Sequence, residues 1–223
     1  MDIGLTSRAS SLVEKVRIMI SEKVTPLESE FFAEVNKSSD RFAYSKRMIE
    51  ILEGLKNEAQ SNGLWNFWLT DSKKGYGLST VEYAYLAEEM GKSRLGAEVF
   101  NCSAPDTGNM EVFERYGSNE HKKKWLEPLL NGKIRSAYCM TEPQVASSDA
   151  TNMSLKAIKD GNNYILNGEK WWASGTGDPR CAVYIVMVKT GNENLQKHKQ
   201  HSMVVVPADA KGIKVLRPMK VFG

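Results

Sequence analysis

The stretch Tyr138-Cys139-Met140-Thr141-Glu142-Pro143-Gln144-Val145-Ala146-Ser147-Ser148-Asp149 decides how this chain is read. Pro143 bends it, Thr141, Ser147 and Ser148 offer hydroxyls, and the small Ala146 lets backbone amides approach a ligand closely. A planar ring edge or a pyrophosphate needs such a surface. Serine-rich loops are also ordinary turns, so the stretch takes its meaning from what lies on either side.

On its N-terminal side, from Ser11 to about Gly132, apolar residues recur at helical spacing. Leu12, Val16, Met19 (or Ile20) and Val24 form one series, and Met48, Leu52, Leu55 and Ala59 another. Gly63, Gly91, Gly117 and Gly132 follow periodic stretches as C-terminal stops, and Ser79 with Glu82 forms a capping box opening a further helix. These signals predict about five helices. Pro26 falls inside the first series and predicts a kink or break near Val24 and Thr25.

On the C-terminal side the texture changes to β-branched and aromatic runs with turn pairs. Ser154 to Lys159, Tyr164 to Leu166, Ala182 to Lys189 and Met203 to Val206 read as strands, with turns at Asp160-Gly161 and Asn167-Gly168. Thr190 to His201 reads as an exposed hairpin loop, and Gly212 to Gly223 as a further strand-forming stretch that stops in mid-domain. Helices followed by strands define an α+β chain: an all-α domain over residues 1–133, then an antiparallel β-barrel-like domain over 134–223, incomplete at its end.

Composition excludes several classes of function. The 223 residues are 41% hydrophobic and 26% charged with a net charge of +3, which indicates no strong attraction to nucleic acid. No apolar run approaches the roughly 20 residues needed to span a bilayer. Residues Met1 to Ser11 lack the apolar core of a secretory signal. Cys102, Cys139 and Cys181 are widely separated and read as buried or idle thiols; His121, His198 and His201 lie in polar, lysine-rich stretches, and no metal is expected. Gly75-Tyr76-Gly77 and Gly175-Thr176-Gly177 lack the third glycine and the strand-to-helix turn of a dinucleotide fold, and there is no phosphate-loop or nucleophile-elbow motif.

About 30 residues beyond the opening loop stands Asn167-Gly168-Glu169-Lys170-Trp171-Trp172-Ala173-Ser174-Gly175. Read as a strand, its two tryptophans face opposite sides, leaving Trp172 free to wall a planar ligand and Ser174, on the same face, to hydrogen-bond the ligand's edge. Packing of both rings in a core is the alternative.

The pairing of Tyr138 to Pro143 with Asn167 to Ser174 resembles the flavin-binding signature of acyl-CoA dehydrogenases. The resemblance extends through Tyr116-Gly117-Ser118 and Trp125-Leu126-Glu127-Pro128-Leu129-Leu130-Asn131-Gly132 to nearly the whole chain, and is closest to family members ten and eleven. It implies FAD as cofactor, held by Tyr138, Met140, Thr141, Ala146, Ser147, Ser148, Trp172, Ala173 and Ser174. Met140 and Thr141 would bond the flavin ring, Trp172 would flank it, and Ser174 replaces the usual threonine. The common form Thr-Glu-Pro-x-Ala-Gly-Ser-Asp is here Thr-Glu-Pro-Gln-Val-Ala-Ser-Ser-Asp, one residue longer, which leaves open whether Ser147 or Ser148 takes the phosphate.

The implied reaction is α,β-dehydrogenation of an acyl-CoA to trans-2-enoyl-CoA in fatty acid β-oxidation, with an electron-transfer flavoprotein as acceptor, homo-oligomeric assembly of the full-length enzyme, and a mitochondrial or peroxisomal location. The catalytic glutamate of most of the family lies in a third, helical domain, which the 223 residues are expected to lack; Glu142 is a poor substitute for it. Two alternatives stand beside the dehydrogenase: a short product that binds flavin or a partner without turnover, and an acyl-CoA oxidase.

Overall fold

The structure, a computed structural model, describes residues 4–69, 75–191, 194–219 and 221. It resolves into two compact units, Met1–Tyr116 and Gly117–Gly223. The expected division at 133 and 134 follows the change from helix to strand, whereas the packing groups the short helices after Tyr116 with the strands.

The first unit contains α1 (Ser7–Met19), α2 (Thr25–Lys37), α3 (Lys46–Ser61), α4 (Thr80–Met90), α5 (Gly96–Val99) and α6 (Asp106–Tyr116). Its core gathers Val16, Met19, Ile20 and Val24 with Met48, Leu52, Leu55 and Ala59, all at most 5% exposed, so the residues singled out by period are those that face inward. Burial of each large aliphatic side chain contributes about 1.5–3 kcal/mol. Ser79 caps α4 reciprocally with Glu82, as the sequence predicts. Asn66 and Asn101 both adopt left-handed backbone, φ 56° and 54°, and join two loops through an Asn101 Nδ2 to Asn66 Oδ1 bond of 2.7 Å.

Pro26 does not break the first helix. The ring of a proline crowds the carbonyl four residues back and supplies no N–H, and the chain answers by widening into a π turn, Ile20–Val24, in which Thr25 N–H reaches Ile20 O. The same device recurs in the second unit, where α7 (Asn119–His121) passes through the π turn Lys122–Leu126 into α8 (Glu127–Leu130), with Pro128 at its start.

The second unit continues with β1 (Arg135–Cys139), β2 (Lys156–Asp160), β3 (Asn163–Asn167), β4 (Cys181–Lys189) and β5 (His201–Pro207), forming one five-stranded sheet. The sheet is mixed. β2–β3 and β4–β5 pair antiparallel, while β1 pairs parallel with β4 from Arg135↔Cys181 to Cys139↔Val186, and β2 meets β4 in parallel at Lys156↔Lys189. The long excursion from Cys139 to Lys156 lets β1 and β2 address successive stretches of β4. Central β4 is buried from Val183 to Val186 without alternation, as expected for a strand covered on both faces.

Two strand assignments differ from the sequence reading. Gly168 to Gly175 is irregular, because Trp172 takes a left-handed φ of 53° and Gly168 and Gly175 also have positive φ, values no regular strand contains. The described part of Gly212 to Gly223 also forms no strand. Its apolar residues Ile213, Val215 and Leu216 are exposed, with no neighbouring ladder among the described residues to take their backbone hydrogen bonds.

Candidate functional site

The site grows from the end of β1. Alternation turns Ala137 and Cys139 into the sheet core and leaves Tyr138 half-buried on the other side. Burial raises the Tyr138 phenol above its ordinary value and lifts the Cys139 thiol to about 11, against the nearby Lys170 charge. After Cys139 the chain leaves the sheet as the loop quoted first.

That loop is tied to the tryptophan segment at two points. Trp171 N–H donates to Thr141 O at 3.0 Å, and the Thr141 hydroxyl donates to Trp171 O at 2.5 Å. Beside this zipper lies a buried ion pair, Lys170 Nζ to Glu142 Oε1 at 2.8 Å, with side chains 9% and 2% exposed. The same ammonium donates to Met140 O at 2.8 Å. Glu142 further accepts Ser154 N–H (2.8 Å), Ser154 Oγ–H (2.7 Å) and Leu155 N–H (2.9 Å). Burial alone would raise this carboxyl, but the Lys170 ammonium, the Ser154 and Leu155 amides and the Ser154 hydroxyl outweigh it and hold the group down at about 2.

Each sequence-predicted residue has a definite place. Met140 is half-buried, its carbonyl turned to Lys170. Ala146 is exposed, and its carbonyl accepts Asn152 Nδ2–H at 3.2 Å. Ser147 is buried; its hydroxyl accepts Glu142 N–H at 2.9 Å and donates to Val145 O at 3.3 Å. Ser148 is exposed and makes no hydrogen bond among the described residues. Of the two serines left open by the sequence, only Ser148 therefore presents an unengaged hydroxyl.

Trp171 and Trp172 are 38% and 49% exposed, with ring centroids 6.2 Å apart at 59°. They do not face opposite sides of a strand, and the relation of Ser174 to Trp172 is set by a turn instead. In that turn Ala173 is half-buried, with its carbonyl accepting the Thr176 hydroxyl at 2.9 Å, and Ser174 is exposed. Tyr184 on β4 anchors the turn by donating its hydroxyl to Thr176 O at 3.1 Å.

The sequence reading gave no role to Lys170, Ser154 or Tyr184 and weighed Glu142 only as a base. The available signal was one acid and one lysine, 28 positions apart, one inside each of the two motifs. Among the described residues no group of three or more His, Cys, Asp or Glu comes together as a metal site, and no helix is long and apolar enough to cross a membrane.

The arrangement supplies a half-exposed indole, free hydroxyls and close backbone on two loops locked side by side, which suits a flat, polar-edged ligand. The comparison with known proteins agrees with the architecture. Models of the N-terminal and middle domains of acyl-CoA dehydrogenases match residues 6–133 and 137–223, and the chain belongs to the acyl-CoA dehydrogenase family.

Within that family it is similar to Acyl-CoA dehydrogenase family member 11 of Gallus gallus, 48% identical over 97% of this chain and 27% of that protein. Family member 10 of Mus musculus is 48% identical over 99% of this chain and 20% of its own length. A solved Mycobacterium abscessus protein of acyl-CoA dehydrogenase type shares 46% identity with a TM-score of 0.90, covering 97% of this chain and 54% of that one. The likeness extends to the solved complex of PigA with FAD and proline, at 25% identity and a TM-score of 0.69, over 95% of this chain and 51% of that one. The chain thus spans about a quarter of the family member 11 protein and about half of the solved relatives.

Proposed function

We propose that the chain carries the flavin-contacting part of an FAD-dependent acyl-CoA dehydrogenase that converts an acyl-CoA to its trans-2-enoyl-CoA. One observation carries this reading. The loop of Met140 to Ser148 and the turn of Trp172 to Ser174, separate in sequence, are bound together through Thr141, Trp171, Lys170 and Glu142, and the groups left outward are an indole and hydroxyls.

These residues fit FAD. Trp172 would lie along the ring system, and Ser148, with its unengaged hydroxyl, would take the phosphate in preference to the buried Ser147. Backbone at Met140, Thr141, Ala146 and Ala173 and the hydroxyl of Ser174 would meet ring and ribityl edges, with Tyr138 behind them. When bound, FAD supplies the hydride acceptor for the β-carbon of the thioester. The residues of this chain bind and orient. The proton acceptor for the α-carbon would come from outside these 223 residues, because Glu142 is buried, held ionised by its lysine, and fully hydrogen-bonded. In the complete protein, acyl-CoA would be the substrate, an electron-transfer flavoprotein the acceptor, a homo-oligomer the working assembly, and the mitochondrion or peroxisome the setting.

The test is to purify the chain, add FAD, separate free flavin by gel filtration and record the bound flavin spectrum, then add a panel of acyl-CoAs. Bound flavin that does not bleach is the expected result. Bleaching would place a base within these residues, and a complete absence of flavin would overturn the assignment of these two loops as the flavin site.

A further inference from the structure

We propose that Glu142 and Lys170 are positioning residues for the flavin, acting as a charged clip that sets the separation of the two flavin-contacting loops and the orientation of the Met140–Thr141 peptide. This rests on the FAD reading above and assigns a task to two residues which, by that reading, do not touch the cofactor.

Lys170 Nζ has two oxygen acceptors at 2.8 Å, Met140 O and Glu142 Oε1, both on the first loop, while Lys170 itself belongs to the second. A trans peptide places its carbonyl and the next amide on opposite sides. By drawing Met140 O towards itself, Lys170 therefore turns Thr141 N–H away from the ammonium. That amide finds no acceptor among the described residues, so it is a donor aimed by the lysine. Glu142 anchors the other end, since its carboxylate also grips Ser154 and Leu155 at the entry to β2.

Burial makes the pair an all-or-none device. With side chains 9% and 2% exposed, removal of either partner strands the other's charge away from water. A surface pair would tolerate such a loss, and a purely packing residue would be replaceable by an apolar group of similar length. The clip instead needs an ammonium, because a single group must satisfy a carboxylate and a carbonyl together. The next residue, Trp171, zips to Thr141 at once, so an error in the clip passes directly to the neighbouring Trp172 ring.

The experiment compares wild type, Lys170→Met, Lys170→Arg and the neutral double variant Glu142→Gln/Lys170→Met. FAD affinity is measured by titration calorimetry, and near-ultraviolet circular dichroism reports the Trp171–Trp172 pair without flavin. The double variant carries no stranded charge and guards against simple unfolding. Expected are a loss of FAD affinity of tenfold or more in Lys170→Met and in the double variant, partial recovery in Lys170→Arg, and an altered tryptophan signal in the absence of FAD. Wild-type binding with equal affinity in a folded double variant would overturn the clip while leaving the FAD reading intact. No binding by wild type would overturn both.

Discussion

Replacing Glu142 with glutamine removes one charge and almost no volume, and its effect must depend on pH in a calculable way. The carboxyl is held at about 2 in the folded protein against an ordinary 4.5. A depressed carboxyl stabilises the fold fully at pH values above 4.5, and the contribution is lost as pH falls towards and through 2. The interval corresponds to roughly 3 kcal/mol at pH 7 and, by the same linkage, to roughly half of that at pH 3. Glutamine keeps one oxygen acceptor but turns an amide towards donors and leaves Lys170 without its counter-charge, a loss in the range of about 3–5 kcal/mol for a broken buried pair. Urea denaturation of wild type and Glu142→Gln, followed by circular dichroism from pH 7 down to pH 3, should show a deficit in the variant that narrows by about 1.5–2 kcal/mol as pH falls. A deficit unchanged over that interval would refute the reasoning, since it would mean that the Glu142 charge does not stabilise the fold.

Three further substitutions probe separate links. Gly168→Ala places a methyl 3.1 Å from the Leu155 side chain at a positive φ of 152°; a loss of about 1–3 kcal/mol is expected in urea melts. Trp172→Gly relieves a left-handed backbone that costs a bulky residue about 1–2 kcal/mol, so unfolding midpoints should stay within a few degrees of wild type while FAD affinity drops at least tenfold. Ser79→Ala removes the capping box of α4 and should cost about 1 kcal/mol, lowering Tm by about 2–4 °C in a chain of this size.

The helical half was legible because its signals are local. Ser79 and Glu82 cap one another across three residues, and Met48, Leu52, Leu55 and Ala59 bury one face because helical period alone brings them together. The π turns were not legible. Pro26 announces a disturbance, but whether the helix breaks or widens depends on the packing of Ile20 and Val24, the two ends of the π turn that precedes it, both at most 4% exposed.

In the second unit β2 to β5 could be read from β-branched and aromatic runs, and the turn at Asp160-Gly161 and the hairpin loop Thr190 to His201 already paired β2 with β3 and β4 with β5, but the parallel partners of β4 could not be read. That β1 runs parallel to β4, more than 40 residues on, follows from the return path of the intervening loop and hairpin, which no short window contains. The two loop motifs were visible as composition. Their conformation was not, because Trp172 sits at a φ that its residue type disfavours and is held there by long-range bonds through Trp171, Thr141 and Lys170. The same bonds explain why Ser147 and Ser148, indistinguishable in sequence, differ in burial: the Glu142 amide takes one hydroxyl and leaves the other outward.

The most direct test of the account is the flavin content of the purified protein in three forms: wild type, Trp172→Ala and Ser148→Ala, each reconstituted with excess FAD and freed of unbound flavin. Near-stoichiometric FAD in wild type with marked loss in both variants is the predicted result. Flavin content that is the same in all three, or absent from all, would contradict the assignment of these loops as the FAD site.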